Sequence, residues 1–308
     1  MPGTLAKSAG LGDDCIMTHS PDILCIGAAH WDVIGRSSRS VTIGDDLPGK
    51  IRQTPGGVAL NIARSLAQLG HHVALLSAIG RDADGNALLT RAQADGIDIS
   101  FLHRAVALPT DRYIAIEGAL GLVAAIADSS TLEACGADLL APLRDGQLAK
   151  WRGTVVLDSG LMDAQLAELA QRSCSDSTDL RVTSAAPAKA VRLRPFLNKG
   201  NAVFYLNLGE ANALLAQSFA DSHSAAQALV AAGAVRAIVT DGERPATDAD
   251  KAASLSRTPP SCDVQRITGA GDVFMAHHIN AETHGATRAN ALAAALDAAA
   301  SHISTSAT

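Results

Sequence analysis

A glycine-rich turn near the end of the chain carries the strongest chemical signal in the sequence. Thr268-Gly269-Ala270-Gly271-Asp272 follows a β-prone stretch and precedes an apolar run typical of a helix. Two glycines around an alanine allow backbone N–H groups to turn toward one point, and a helix that begins there adds the positive end of its dipole. The turn therefore suits an anion such as a phosphate group.

The carboxylate of Asp272 allows two interpretations. In the first turn of a helix it could satisfy free backbone amides, as acidic residues after glycines often do. It could also be a general base that takes a proton from a hydroxyl while the amides of residues 269–271 hold the phosphoryl group under attack. These five residues alone favour neither interpretation.

A second glycine motif lies far upstream, at residues 55–61, with the sequence Pro-Gly-Gly-Val-Ala-Leu-Asn. It leads into an alanine- and leucine-rich helical pattern that stops at Gly70. Each motif alone is weak, but the ordered pair resembles the two signatures of the ribokinase-like (PfkB) family of sugar and nucleoside kinases. The resemblance extends over residues 23–303 and implies an ATP-dependent phosphotransferase that acts on an alcohol group.

The resemblance implies specific roles for residues of both motifs. It makes Asp272 the general base and Gly269, Ala270 and Gly271 the amides that stabilise charge on the phosphoryl group. It assigns the substrate hydroxyls to a second set of residues, namely Asp32, Gly56, Gly57 and Asn61. From the residues themselves, Asp32 at the end of the first predicted strand could equally be a turn or cap residue, and Asn61 an N-cap.

The cofactors that the resemblance implies are ATP and Mg²⁺. Thr240, Gly242 and Thr268 are the expected contacts to the nucleotide. Asn207 and Glu210 are expected to support Mg²⁺ from behind its water ligands, since magnesium prefers oxygen ligands and keeps several waters. An Asn and Glu pair at a helix start would look the same without any metal role. The need for a monovalent cation stays open.

Residues 243–260 motivate an alternative function. The segment is polar and short of β-branched residues, where the resemblance expects strands that cover the adenine. A catalytically weak relative that binds a nucleoside or sugar as a sensor or scaffold is therefore the leading alternative. A dinucleotide-dependent oxidoreductase is disfavoured, because no Gly-x-Gly-x-x-Gly follows the first strand.

The elements that must position these residues alternate between short apolar runs and helical patterns. Strands are predicted at residues 23–27, 73–79, 154–157, 202–206 and 237–240. Helices are predicted at residues 61–69, 84–95, 163–172, 210–217 and 222–232. This order predicts an α/β fold with a mostly parallel sheet covered by helices on both faces, and ligands at the carboxyl ends of its strands.

Two stretches, residues 33–53 and 112–127, do not fit that alternation. The resemblance implies that they form a small β-sheet lid over the substrate, through which a homodimer could form. An ordinary surface hairpin or loop pair is the competing interpretation. We expect residues 21–308 to form one kinase domain with this lid, and residues 1–20 a disordered extension.

Bulk composition favours a cytoplasmic enzyme with a small-molecule substrate. Of 308 residues, 47% are hydrophobic and 18% charged, and the net charge of -6 indicates neither nucleic acid nor a membrane as partner. The 5 scattered cysteines have no Cys-x-x-Cys spacing, which argues against a disulfide framework or a zinc site. No apolar run approaches the roughly 20 residues that span a bilayer.

One subgroup of the family is most similar. Residues 48–51, 54–58 and 75–85 resemble pseudouridine kinases, as does the pattern of Tyr113, Ile116 and residues 125–128. The implied reaction is ATP plus pseudouridine giving pseudouridine 5′-phosphate. Another sugar or nucleoside kinase, similar to ribokinase or adenosine kinase, remains an alternative because a few pocket residues set specificity in such folds.

Overall fold

The computed structural model of the chain describes residues 22–148, 151–172, 179–265 and 268–305. The predicted extension at residues 1–20 lies outside the described residues. Residues 266 and 267, directly before the glycine-rich turn, also lie outside them.

The described residues form fifteen strands. In chain order they are β1 (Ile23–Ile26), β2 (His30–Arg36), β3 (Lys50–Gly56), β4 (Val73–Leu76), β5 (Ala78–Gly80), β6 (Ile97–Asp98), β7 (His103–Ala105), β8 (Arg112–Gly118), β9 (Gly121–Asp128), β10 (Thr154–Asp158), β11 (Leu180–Thr183), β12 (Ala202–Asn207), β13 (Arg236–Asp241), β14 (Arg244–Asp250) and β15 (Ser254–Arg257).

Twelve α-helices lie between and after these strands in the same described ranges. They are α1 (Val58–Gln68), α2 (Ala83–Ala94), α3 (Ser130–Ala134), α4 (Gly136–Leu139), α5 (Ala141–Arg144), α6 (Asp163–Arg172), α7 (Pro187–Ala190), α8 (Arg194–Lys199), α9 (Leu208–Leu215), α10 (Ser222–Ala231), α11 (Ala270–Thr283) and α12 (Arg288–Ser304).

A nine-stranded sheet organises the molecule, in the order β15-β14-β13-β12-β11-β10-β1-β4-β6. The strands from β6 to β13 pair in parallel, and β14 and β15 add an antiparallel edge. The predicted mostly parallel sheet is thus confirmed. The strand order reverses at β1: β4 and β6 are added on one side of β1, and the later strands β10 to β13 are added on its other side. Parallel sheets of this kind bind ligands at such reversal points.

Two hydrophobic cores cover the two faces of the sheet. The residues of β1 alternate between them, because successive side chains of a strand point to opposite faces: Leu24 and Ile26 enter one core, Ile23 and Cys25 the other. Helices α1, α11 and α12 contribute to the second core, and α6, α8, α9 and α10 to the first. Burial on both faces explains why the parallel strands are continuously apolar.

The sequence misplaced three parts of the sheet. The single strand predicted at residues 73–79 is divided into β4 and β5, and β5 pairs with β7 in a separate two-stranded sheet. Strand β11 was not predicted, because Arg181 interrupts its apolar run; the arginine is buried but paired with Glu282. Residues 243–260 do contain strands, β14 and β15, as the family resemblance implied and their composition did not.

A four-stranded sheet, β3-β2-β8-β9, projects from the large one. It is built from the two stretches that broke the alternation. Strands β2 and β8 pair in parallel, and β3 and β9 add antiparallel edges. Every residue of β9 is exposed to solvent.

Candidate active site

The glycine-rich turn opens helix α11, as the sequence predicted. Gly269 is the N-cap and lies in the left-handed region with φ of 82°, where a residue other than glycine would be strained. No side chain of the described residues caps this helix, and the first turn of a helix has no internal acceptors for its N–H groups. The amides of Ala270, Gly271 and Asp272 are therefore available to an anion.

Gly271 differs from the other glycines of the site. A Cβ atom built on Gly271 would meet no heavy atom within 4 Å, and its φ is not positive. Nothing within the described part of the protein therefore requires a glycine at this position. The open space next to free amides fits a ligand that approaches the backbone closely.

Asp272 lies in the first turn of α11 but does not cap it. Its Oδ2 atom accepts a hydrogen bond of 2.9 Å from Nδ2 of Asn61, which comes from helix α1. The pKa of Asp272 is raised to about 7, mainly by burial and also by the nearby carboxylates of Asp158, Asp32 and Glu210, while the hydrogen bond from Asn61 acts to lower it. A carboxyl group with a pKa near neutrality is suited to general base catalysis.

Asn61 is therefore not the N-cap that the sequence left as an alternative. The N-cap of α1 is Gly57, and Asn61 lies one turn into the helix with its backbone N–H bonded to the carbonyl of Gly57 at 2.8 Å. Its side chain joins the two glycine motifs, which are 211 residues apart in sequence.

A cavity of about 80 Å³ extends from Asp272 along the carboxyl ends of the sheet strands. It brings together predicted residues from three separate segments, namely Asn207, Glu210, Thr240, Gly271 and Asp272. Thr183 and Ser184, at the end of β11, also line it and were missed because that strand was missed. Polar side chains from three neighbouring strands or their loops, and from the start of α11, thus converge on one space.

Asn207 and Glu210 form a capping box at the start of α9. The Asn207 side chain accepts from the backbone N–H of Glu210, and the Glu210 carboxylate accepts from the backbone N–H of Asn207, both at 2.9 Å. The structure therefore shows the helix-start pair that the sequence left as an alternative to a metal role. Glu210 is also buried, which raises its pKa to about 7, and it lines the cavity with Asp272.

The donor set fits a magnesium ion bound largely through phosphates and water. No group of three or more His, Cys, Asp or Glu residues within the described ranges could hold a metal ion by itself. Magnesium in phosphoryl-transfer sites is bound by one or two carboxylates together with substrate phosphates. Glu210 and Asp272 supply carboxylates to the lining of the cavity.

The upstream glycine motif is shaped by close contacts within the protein. Gly57 has φ of 97°, and a Cβ atom there would lie 2.4 Å from the carbonyl oxygen of Ala28. Gly56 pairs with His30 across the small sheet, and its Cβ atom would lie 2.4 Å from the carboxyl carbon of Asp32. Both glycines are thus required by space, and Gly57 also by backbone conformation.

Asp32 lies on β2 of the small sheet rather than at the end of the first strand. The sequence was wrong on this point, because residues 27–29 turn the chain out of the large sheet before His30. The side chain of Asp32 is buried beside Gly56, and its Oδ1 atom is 3.1 Å from Nε2 of His30. Neither a turn nor a helix cap explains this carboxylate.

Asp158 is a further residue near the site that the sequence did not single out. It ends β10, next to β1 at the reversal point of the sheet, and is completely buried. Its carboxylate accepts backbone hydrogen bonds from Ala28 at 2.8 Å, Ala59 at 3.0 Å and Gly160 at 2.6 Å. Burial raises its pKa, whereas these three bonds lower it. Asp158 thus joins the loop after β1 to the start of α1.

The three predicted nucleotide contacts lie in different surroundings. Thr240 lines the cavity at the end of β13. Gly242 lies in the exposed turn between β13 and β14 with φ of 61°, and is not among the residues that line the cavity. Thr268 is exposed in the glycine-rich turn, and its carbonyl accepts a hydrogen bond from His302.

Buried polar contacts hold helix α11 beyond its first turn. Nδ1 of His278 is 2.9 Å from the hydroxyl of Tyr205, to which Arg181 also donates at 2.8 Å. Arg181 and Arg236 both pair with Glu282 near the end of the helix. Burial lowers the pKa of His278 to about 4, so this histidine is neutral at physiological pH.

The fold and these two motifs define a family of small-molecule kinases. The family model of the pfkB family carbohydrate kinases matches residues 20–308, nearly the whole chain. The chain belongs to this family, and it is a phosphotransferase that acts on a sugar or nucleoside hydroxyl. The helices of the described residues include none long and apolar enough to cross a membrane.

Among curated proteins, the chain is similar to the pseudouridine kinase of Escherichia coli K12, with 30% identity over 264 residues that cover 82% of this chain and 81% of that one. Among solved structures it is similar to a carbohydrate kinase from Agrobacterium tumefaciens, with 27% identity, a TM-score of 0.77 and coverage of 91% and 90%. Arabidopsis thaliana ribokinase, solved with ribose and ATP, shares the fold with a TM-score of 0.78 at 17% identity, covering 93% and 94% of the two chains.

Proposed function

We propose that this kinase transfers a phosphoryl group from ATP to the 5′-hydroxyl of pseudouridine. The observation that carries the proposal is the similarity over 82% of the chain to a pseudouridine kinase. The Asn61–Asp272 hydrogen bond supports it chemically, because it places a carboxylate of raised pKa between the sugar-side motif and the anion turn.

In the proposed mechanism, Asp272 takes the proton of the 5′-hydroxyl. Asn61 holds Oδ2, which leaves Oδ1 for the hydroxyl. With a pKa of about 7, a substantial fraction of the enzyme has the deprotonated carboxylate at neutral pH. Catalysis of phosphoryl transfer rests mainly on positioning and on electrostatic stabilisation.

The remaining side chains bind the reactants on either side of Asp272. Asp32 and the turn at Gly56 and Gly57 hold the ribose hydroxyls, since a carboxylate with a free oxygen suits a diol. The amides of residues 269–271 stabilise the charge of the phosphoryl group.

Asn207 and Glu210 would hold the waters of a magnesium ion, with Thr240 and Thr268 near the nucleotide. Bound Mg²⁺ neutralises charge on the ATP phosphates. Gly242 contributes the turn of the β13–β14 hairpin.

A second copy of this chain is the partner that the small sheet fits. Ile114 and Ile116 are exposed on the same face of β8, and Ile126 lies opposite Ile114 on β9. Contiguous apolar surface on a sheet is typical of an interface. We infer a homodimer through this sheet, which light scattering would test: Ile126→Glu is expected to give a monomer, and a wild-type monomer would contradict the inference.

A coupled ADP-release assay across pseudouridine, uridine, adenosine, ribose and fructose tests the substrate. We expect pseudouridine to have the highest kcat/KM, about tenfold to a hundredfold above uridine, because pseudouridine carries an additional N–H on the base edge. Equal rates on the two nucleosides, or a preference for ribose or adenosine, would overturn the pseudouridine assignment and leave the kinase assignment intact.

A catalytically weak nucleoside-binding relative was the alternative that the sequence offered. It was motivated by the composition of residues 243–260, which did not predict strands. Strands β14 and β15 are present there, so this argument is weaker. Calorimetry separates the two candidates: tight nucleoside binding without ADP release on any member of the panel favours the sensor.

A further inference from the structure

The C-terminal turn of helix α12 holds the glycine-rich turn at two points. The backbone N–H of Gln265 donates to the carbonyl of Ile303 at 2.8 Å, before the turn. Nε2 of His302 lies 3.0 Å from the carbonyl oxygen of Thr268, within the turn. Because a carbonyl can only accept, the imidazole donates this hydrogen bond from Nε2.

The hydrogen bond to Thr268 fixes the direction of the next amide. The carbonyl of Thr268 and the N–H of Gly269 belong to one planar trans peptide unit, in which they point in opposite directions. Holding the carbonyl toward α12 therefore turns the N–H of Gly269 away from α12. Rotation of this peptide unit is otherwise easy, because glycine tolerates most backbone conformations.

His302 also contacts the turn sterically. A Cβ atom on Gly269 would lie 3.2 Å from Nε2 of His302, so the ring packs directly against the N-cap glycine of α11. His302 is not among the residues that line the cavity with Asp272. His302 thus does not line the cavity, and it contacts the glycine-rich turn at Thr268 and Gly269 instead.

We propose that His302 is a positioning residue that orients the Thr268–Gly269 peptide unit of the anion turn for phosphoryl transfer. This inference rests on the proposed kinase function of the same site. The side chain touches neither the substrate nor the phosphoryl group. It determines whether the N–H of Gly269 points toward the phosphoryl group as negative charge develops there. Preorganised hydrogen-bond donors stabilise the transition state most at that point.

Two substitutions test the inference. His302→Phe keeps the ring and removes the donor, whereas His302→Gln keeps a donor near the position of Nε2. We expect kcat to fall about tenfold in H302F, with KM for the nucleoside unchanged, because one amide is misdirected rather than removed. H302Q is expected to recover most of the lost turnover. His284→Phe, at an exposed histidine that ends α11, is the matched control and is expected to behave like the wild type.

A binding measurement gives a readout that does not need turnover. ADP with aluminium fluoride mimics the phosphoryl group in transfer. Its affinity, measured by calorimetry, is expected to fall about tenfold in H302F and to stay near wild type in H302Q. The affinity for ADP alone is expected to change little, and the melting temperature of H302F to stay close to that of the wild type.

The outcomes separate this inference from the proposed function. An active wild type with unchanged kcat and unchanged aluminium fluoride affinity in H302F overturns the role of His302. A loss in H302F that H302Q does not restore also overturns it, because the donor would then be irrelevant. Absence of kinase activity in the wild type contradicts the proposed function, and the binding measurement still decides whether His302 orients the turn.

Discussion

The two glycine turns of the active site are built in opposite ways. The sugar-side turn at Gly56 and Gly57 is packed against other parts of the protein, and the completely buried Asp158 binds the amide of Ala59, just after the turn, and that of Ala28, which packs against it. The phosphate-side turn has open space at Gly271, and the imidazole of His302 contacts the carbonyl of Thr268. The glycines of the first turn are needed by the fold, whereas nothing in the described part of the chain requires a glycine at position 271.

Because of this difference, we expect substitutions in one turn to affect mainly stability and substrate affinity, and substitutions in the other to affect mainly turnover. Changes to the sugar-side turn should disturb folding and substrate affinity, because its backbone is part of the core. Changes to the phosphate-side turn should disturb turnover while the fold persists. Asn61 joins the two turns through its hydrogen bond to Asp272, so a substitution of Asn61 should change the pKa of Asp272.

The largest effect is expected at Asp272. Asp272→Asn should lower kcat by at least roughly a hundredfold, the usual scale for the loss of a general base, while nucleoside binding is retained. Steady-state kinetics and calorimetry measure the two quantities. Turnover like that of the wild type would remove Asp272 from the mechanism.

The same variant has a stability readout with a defined sign. The folded-state pKa of Asp272 is raised to about 7 from its ordinary value of 3.8, so the folded state binds a proton that the unfolded state has lost between these pH values. Stability therefore falls as the pH rises through this window. Asp272→Asn avoids that loss, and we expect its melting temperature to exceed that of the wild type at about pH 8.

The second largest effect is expected at Asp158, on stability. Asp158→Ala leaves the amides of Ala28, Ala59 and Gly160 without their acceptor, and each buried one, as at Ala59 and Gly160, costs about 1–3 kcal/mol. We expect the free energy of unfolding in urea to fall by about 3 kcal/mol or more. Asp221→Ala removes the N-cap of α10, away from the site, and is expected to cost about 1 kcal/mol. Equal losses in the two variants would contradict the special role of Asp158.

Asp32→Ala tests the substrate side without breaking the turn. We expect nucleoside binding to weaken by about 1–3 kcal/mol, because sugar hydroxyls lose a charged acceptor. ATP affinity should change little. Calorimetry that shows the reverse, with ATP binding lost and nucleoside binding retained, would mean that the two pockets are assigned the wrong way round.

The smallest effect is expected from uncoupling the turns with Asn61→Ala. The Asn61 amide donates to the Asp272 carboxylate and lowers its pKa, so its removal should raise that pKa above about 7. Because the deprotonated form is the base, the acidic limb of the kcat/KM profile should move to higher pH. An unmoved limb would show that another group titrates there.

The sequence predicted the parts of the molecule that local pattern determines. The parallel sheet and helices such as α6, predicted and found at residues 163–172, follow from apolar periodicity. The glycine-rich turn that opens α11 was predicted from its glycines together with a family resemblance. Strand β11 was missed because its buried Arg181 looks polar until its partner Glu282, far along the chain, is known.

The site was predicted less completely, for a related reason. Asp158 and His302 act through backbone groups that no side-chain pattern reveals. Asp158 precedes a serine and a glycine, like any turn aspartate, and only the packing of Gly27 and Gly160 around its carboxylate shows its role. Contacts between distant segments depend on tertiary structure, which single-sequence patterns do not encode.

The bond between Asn61 and Asp272 also has a consequence for synthesis of the chain. The two residues are 211 positions apart, so a ribosome that makes the sugar-side motif must add more than half of the protein before Asp272 exists. The nascent chain can bury the first strands early, yet helix α1 lacks its neighbour α11 throughout that time. The buried apolar residues of α1, which include Leu60, Ile62 and Leu66, are then incompletely covered, and they offer a surface for chaperones or for aggregation. Activity can appear only in the last moments of folding.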